Sequence, residues 1–320
     1  MPAFAASAPG KIILFGEHAV VYNRPAIAVP VTQVQAKAVV TPDLGAPAGR
    51  VWIQASDIHL ERSLSDLPAD HPFAITLSAV QEVTGVQRLP ALRLKINSSI
   101  PIAAGLGSGA AVSIAIARAL AAFLGRPLSD EQVSAVAYRV DQKYHGTPSG
   151  IDNTVIAYAQ PVFFIRGQPF ERMETGEPFT VVIGNTGIAS QTKVVVGDVR
   201  QLWLADQERY ERLFDAIGAI THQARRLIES GETSALGPLM NANHGLLQDI
   251  DVSSPALDRL VAAARSAGAL GAKLCGGGRG GNMIALTPPQ QAGAVAQALR
   301  AAGAVNTITT LVGKRSHEPA

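Results

Sequence analysis

The spacing of apolar and polar positions changes along this chain, and the changes mark its elements. Ser7–Phe15 and Ala26–Val40 read as strands, the second through alternation such as Val34-Gln35-Ala36-Lys37-Ala38. Thr41–Arg50 is a Pro/Gly turn region, and Leu92–Ile96 alternates as a further strand. From Leu106 to Leu124 the residues are small and apolar with Arg118 the only charge, which predicts a buried helix. Ser129–Tyr144 predicts an amphipathic helix. Val133, Val136, Ala137 and Val140 share one stripe, and Ser129 with Gln132 fits a capping box. Thr154–Ala159, Val162–Ile165 and Thr180–Asn185 read as strands.

Gly167–Pro178 is turn-rich and charged, which predicts a boundary there between two domains, 1–175 and 176–320. Beyond it the texture is helical over Val199–Ser230, Thr233–Leu247 and Ser254–Ala267. Apolar runs at Ala272–Leu274 and Met283–Leu286, a helix at Gln290–Ala302 and a strand at Val305–Val312 close the chain. Strands dominate the first half and helices the second. The expected class is therefore α+β, not a regular βαβ alternation.

Composition narrows the function. Of 320 residues 47% are hydrophobic and 16% charged, against about 25% charged in an average soluble chain. That supplies two buried cores and excludes a disordered chain. With 27 Lys and Arg against 25 Asp and Glu, the net charge is +2. No global field points to nucleic acid or an anionic membrane, so an anionic ligand would be met by a local site. Cys275 is the single cysteine, which excludes an intrachain disulfide and a cysteine-cluster metal site. The first ten residues carry no Lys or Arg, so no secretory leader is expected. The charge-free stretch Ile96–Ala117 contains Pro101, Gly105, Gly107 and Gly109, and reads as a turn entering a helix rather than a membrane span. A cytoplasmic protein is the expectation.

Candidate chemistry sits in four segments. In the first, Lys11 opens the strand of Pro9-Gly10-Lys11-Ile12-Ile13-Leu14-Phe15, and Gly16-Glu17-His18 follows. The second is Pro101-Ile102-Ala103-Ala104-Gly105-Leu106-Gly107-Ser108-Gly109-Ala110-Ala111, where glycines precede a helix whose free N–H groups suit a phosphate. A tight turn before a core helix reads equally well. No Lys follows Gly109, so this is not a Walker A loop. Gly105, Gly107 and Ala110 fit G-x-G-x-x-A, but outside the βαβ context of a dinucleotide site. The third, Lys273-Leu274-Cys275-Gly276-Gly277-Gly278-Arg279-Gly280-Gly281-Asn282, has more glycines than a hairpin turn calls for, and predicts a mobile loop whose amides surround an anion. The fourth is His145-Gly146-Thr147-Pro148-Ser149-Gly150-Ile151-Asp152-Asn153, one carboxylate after a Gly/Pro-rich turn.

Taken together, these segments resemble the GHMP kinase superfamily, which covers galactokinase, homoserine kinase, mevalonate kinase and phosphomevalonate kinase. Within it they are most similar to the mevalonate kinases. Gly16-Glu17-His18-Ala19-Val20-Val21-Tyr22, Asn185–Lys193, Asn241-Ala242-Asn243-His244 and Val252-Ser253-Ser254-Pro255 add to the likeness, which spans almost the whole chain. The resemblance implies a GHMP kinase fold: an N-terminal domain like domain 2 of ribosomal protein S5, a ferredoxin-like C-terminal domain, and an active site in the cleft between them. It implies ATP-dependent phosphorylation of the C5 hydroxyl of mevalonate, on the path to isoprenoids. The partners are then ATP, Mg²⁺ and a small-molecule substrate, with no nucleic acid and no membrane. Pairing into a homodimer is left open.

Residue roles follow from the same likeness. Asp152 and Lys11 are the catalytic pair. Pro101, Ala104, Gly105, Leu106, Gly107, Ser108, Gly109 and Ala110 form the ATP loop. Glu17, His18 and Thr192 line the mevalonate side. The metal falls to Ser108 and Asp141, and here the chain departs from its relatives. Asp141 stands where they carry Glu, Gly109 where a second serine is usual, and Arg279 where the third loop usually has glycine. Within the resemblance, a kinase for phosphomevalonate, homoserine or a sugar and a non-catalytic ligand-binding relative are the alternatives.

Overall fold

A computed structural model describes residues 2–101, 104–145 and 148–313, with the side chains of Tyr144 and His145 excepted. Gly146 and Thr147 of the fourth segment, and Ile102 and Ala103 of the second, lie outside the described residues. The chain forms two compact units. The first holds the chain up to Lys11, Val34–Pro101 and Leu106–Ala159; the second holds Ile12–Gln33, the stretch at Ala104 and Gly105, and the chain from Gln160 onward.

Strands β1 (Phe4–Phe15) and β2 (Ala26–Pro42) are long enough to pass from one unit into the other. In the first unit β2 is flanked by β3 (Val51–Ala55), β4 (Leu60–Ser63) and β5 (Leu92–Ser98), in the order β4-β3-β5-β2. The pairing of β3 with β5 is parallel and that of β2 with β5 antiparallel. Strict alternation from Val34 to Ala38 and along β5 buries one face of this sheet. Four helices accompany it: α1 (Pro72–Thr84), α2 (Ser108–Phe123), α3 (Asp130–His145) and α4 (Ile151–Tyr158). Helix α2 is buried nearly all round because α1, α3 and α4 each pack on it, and its run of alanines lets them approach closely. The capping box of α3 forms in both directions, Ser129 N–H to Gln132 Oε1 at 2.9 Å and Gln132 N–H to Ser129 Oγ at 3.2 Å.

One expectation fails here. Thr154–Ala159 is not a strand: Thr154–Tyr158 is the greater part of α4, and Ala159 is its left-handed C-cap. Gly150 (φ 89) turns the chain into the helix, and the Thr154 hydroxyl bonds back to the Gly150 carbonyl at 2.7 Å. Because Ile151 and Asn153–Ala157 are all buried, α4 has no polar face to show a helical period, and its β-branched residues imitate a strand.

In the second unit β8 (Phe179–Asn185), β9 (Gly271–Cys275), β10 (Asn282–Thr287) and β11 (Asn306–Val312) form an antiparallel sheet of order β11-β8-β10-β9. The short β6 (Val162–Phe164) pairs with the start of β2 and with β7 (Glu171–Arg172). Helices α5 (Thr192–Ala205), α6 (Gln207–Ser230), α7 (Leu236–Asp249), α8 (Pro255–Ser266) and α9 (Ala292–Ala301) complete it. The helical run expected from Val199 to Ser230 is two helices, broken at Asp206, whose side chain caps α6. Phe214, Ile217, Leu257, Leu260, Leu274 and Leu299 join one buried core.

Candidate active site

Lys11 and Asp152 meet in the first unit. Lys11 lies in β1 and its N–H donates to the Leu106 carbonyl at 3.0 Å. Asp152 stands in the first turn of α4. The Lys11 Nζ lies 3.0 Å from Asp152 Oδ1; the lysine side chain is 6% exposed and the aspartate 36%. The cation is thus buried in the protein while the carboxylate keeps an open side.

The second glycine segment is built onto the same lysine. Gly107 (φ 74) precedes α2, and a Cβ there would lie 2.7 Å from Ile156 Cδ1 and 3.1 Å from Lys11 Cγ. Only glycine lets the loop approach this closely. Helix α2 begins at Ser108 with no side-chain cap, so its first N–H groups are left for another acceptor. Gly105 and Gly109 are exposed, with open space where a side chain would stand. Ala104, Leu106 and Ala110 are buried, Pro101 and Ser108 half-buried. The Ala104 carbonyl accepts from Asn282 in the second unit's own fold, and the Leu106 carbonyl is taken by Lys11.

Asp141, on α3, is the third charged group. Burial pushes its carboxyl from 3.8 up to about 7; the charge of Asp152 adds to the rise and Lys11 opposes it. A buried carboxylate that water and protein leave under-compensated suits a cation. The oxygens of Asp141 and Ser108 are hard donors. Among the described residues no group of three or more His, Cys, Asp or Glu is arranged to hold a metal.

The second unit gathers Glu17, His18 and Thr192 with residues the sequence reading had given no role. Glu17 is 1% exposed. One of its oxygens pairs with the fully buried Lys273 of β9, and the other accepts from Asn243 of α7 at 3.4 Å. Its carboxylate is therefore committed to the protein. His18 (φ 59) follows it, and its Nε2 lies 3.0 Å from the Gly277 carbonyl. A carbonyl only accepts, so Nε2 carries the proton and Nδ1 is a bare lone pair. Nδ1 is buried without a partner among the described residues. Burial lowers the imidazole from 6.5 to about 4, so His18 is neutral at physiological pH. Thr192 is exposed at the first position of α5.

The third glycine segment differs from its expected form. It is the connection of an antiparallel hairpin, with Asn282 of β10 opposite Cys275 of β9. Nor is it free along its length. Gly281 N–H donates to the Ile188 carbonyl at 2.7 Å, the Ser190 hydroxyl to the Gly278 carbonyl at 3.0 Å, and Arg279 N–H to Val252 at 2.8 Å. A Cβ at Gly277 would lie 2.6 Å from Thr192 Oγ1. At Gly277, Gly278 and Gly280 the missing side chain allows close packing.

Comparison with known proteins gives the setting. The family profile described as GHMP kinases N terminal domain matches residues 73–160, and that described as GHMP kinases C terminal matches 224–305. The chain is 37% identical to a mevalonate kinase of Pyrococcus horikoshii, over 95% of its own length and 94% of the relative's. It is 30% identical to the crystal structure of L. major mevalonate kinase in complex with R-mevalonate, with a TM-score of 0.84 and coverage of 98% and 97%. A Methanococcus jannaschii mevalonate kinase structure, at 22% identity and TM-score 0.85 over 98% and 99% of the two chains, shares the fold.

Proposed function

The chain belongs to the GHMP kinase family, and on that premise we propose that it transfers the γ-phosphoryl group of ATP to the C5 hydroxyl of mevalonate. The observation that carries the chemistry is the Lys11–Asp152 pair at 3.0 Å, set against the start of α2 by the close approach at Gly107. The C5 hydroxyl gives its proton to the Asp152 carboxylate while its oxygen bonds to the γ-phosphorus, and the bond to the β–γ bridging oxygen breaks to release ADP. The Lys11–Asp152 pair positions the carboxylate, and phosphoryl transfer, with its loose transition state, needs positioning and charge neutralisation before early proton removal.

Lys11 supplies part of that neutralisation beside the transferred group. The amides of Gly105–Gly109 hold the β- and γ-phosphates; the exposed side of Gly105 and Gly109 supports this reading, while Pro101, Ala104, Leu106 and Ala110 serve by backbone or packing. Asp141 and Ser108 would hold Mg²⁺, which when bound supplies positive charge against the phosphates. The bare Nδ1 of His18 accepts from a substrate hydroxyl, and Thr192 offers its own hydroxyl. Glu17 acts one step back, because both its oxygens are engaged.

Residues 1–175 and 176–320 are the proposed functional domains, in line with family profiles over 73–160 and 224–305, although Ile12–Gln33 and the chain from Gln160 belong to the second compact unit. The test is a coupled ADP-release assay over mevalonate, phosphomevalonate, homoserine and galactose. Mevalonate should lead by kcat/KM. Preference for any other of the four would refute the substrate assignment.

A further inference from the structure

Arg279 is held in the left-handed region at φ 52, a conformation costly for any residue with a Cβ. Its side chain spends three donors on the surrounding chain. Nη1 donates to Asp198 of α5, Nη2 to Asp251 Oδ2 at 2.9 Å, and Nε to the Asp251 carbonyl at 3.1 Å. Asp251 is itself left-handed, at φ 62. One guanidinium thus joins the hairpin loop, α5 and the turn after α7.

These pairs are half-open to water: Arg279 is 33% exposed, Asp198 47% and Asp251 74%. Pairs of that kind add little to global stability. Their worth is local, and they bear on α5, whose far end is held by Trp203, donating to Glu211 Oε1 at 2.9 Å. Of its fourteen residues only Val195 and Val199 are buried. Its leading segment is bonded to the loop through Ile188 and Ser190, and Thr192 Oγ1 leaves no room for a side chain at Gly277. Arg279 adds the attachment further along the helix, at Asp198.

We infer that Arg279 is a positioning residue for substrate binding: it clasps α5 to the glycine hairpin and so fixes where Thr192 presents its hydroxyl. This rests on the reading of Thr192 as a mevalonate contact. Loss of the clasp should weaken mevalonate binding and leave the nucleotide side untouched.

Two variants test it. Arg279→Gly accepts the left-handed backbone without strain, and Arg279→Met keeps the length of the side chain without its charge. Both should raise KM for mevalonate about five-fold, the factor for roughly one weak ion-pair's worth of ordering. KM for ATP and the melting temperature should stay at their wild-type values. Arg279→Lys should recover only part of the loss, because an ammonium cannot reproduce the forked contacts. In a Thr192→Ala background, Arg279→Met should add nothing further to KM, since coupled residues are non-additive. A wild-type KM for mevalonate in both variants, or effects of Arg279→Met and Thr192→Ala that multiply independently, would overturn the inference. A wild-type enzyme that releases no ADP with mevalonate would overturn the underlying reading, and is seen before any variant is made.

Discussion

Replacing Asp141 by Asn should make the metal-free protein more stable and the enzyme worse. The substitution keeps the shape of the side chain and removes its charge. In the folded chain burial and the neighbouring Asp152 hold this carboxyl at about 7, against 3.8 ordinarily. Between those two values the folded state keeps a proton that the unfolded state has released. Stability therefore falls as pH rises through the window, and the loss is complete above about pH 7. A rise of about three units corresponds to about 4 kcal/mol at full value, and relaxation of the site brings this to about 2–4 kcal/mol. With about 2–4 °C per kcal/mol for a chain of this class, Asp141→Asn should melt at least about 4 °C above wild type near pH 8. The assay is thermal unfolding in chelator at about pH 8 and about pH 5. The gain should shrink below half at the lower pH, where the wild-type carboxyl is protonated in the folded state. No gain near pH 8, or the same gain at both, would refute the reasoning. A costly buried carboxylate is retained because it serves the reaction, a trade of stability for activity.

Asp141→Ala should raise the Mg²⁺ concentration needed for half-maximal rate and lower kcat; an unchanged magnesium titration would make the residue a bystander. Lys11→Met should lower kcat by about ten-fold or more with KM for mevalonate little changed, as measured by steady-state kinetics, because its charge acts on the developing phosphoryl group. Lys273→Met should destabilise by about 3–5 kcal/mol in denaturant melts, since it strands Glu17 without its cation, and adding Glu17→Gln to it should recover part of the loss. Acid should also weaken the second unit. Burial holds both His18 and His244 at about 4, so the unfolded chain binds more protons below about 6.5 and stability falls from there toward about pH 4. Melting temperature against pH checks this, and His244→Gln should flatten part of the slope.

What the sequence made legible is what short-range pattern controls. Ser129 and Gln132 announced the start of α3 by a reciprocal cap, and the alternation of Val34–Val40 announced β2. Helix α1 has a readable trace: Phe73, Thr76, Leu77, Val80 and Thr84 keep helical spacing and are all buried behind His71 and Pro72. The strands β3 and β4 escaped because each is five residues or fewer among turns. Helix α4 misled because burial on all sides erased its period. At the site, Lys11 and Asp152 were legible only as members of motifs met in order, since they stand 141 positions apart in the chain. Lys273 and Asn243 could not be assigned at all. Their partner Glu17 is 256 and 226 residues away, and no local pattern records a buried ion pair. A charge in a glycine loop, such as that of Arg279, has no partner nearby in sequence. The partners, Asp198 and Asp251, come from α5 and from the turn after α7.

In the proposed mechanism Asp152, paired with Lys11 at 3.0 Å, receives the proton of the mevalonate hydroxyl as the phosphoryl group moves. The direct measurement is the turnover of Asp152→Asn under saturating ATP, mevalonate and Mg²⁺, together with its nucleotide affinity by calorimetry. The account predicts a kcat lower by at least about 10²-fold, the low end for a positioned base, with ATP binding unchanged. A variant that turns over near the wild-type rate would contradict it.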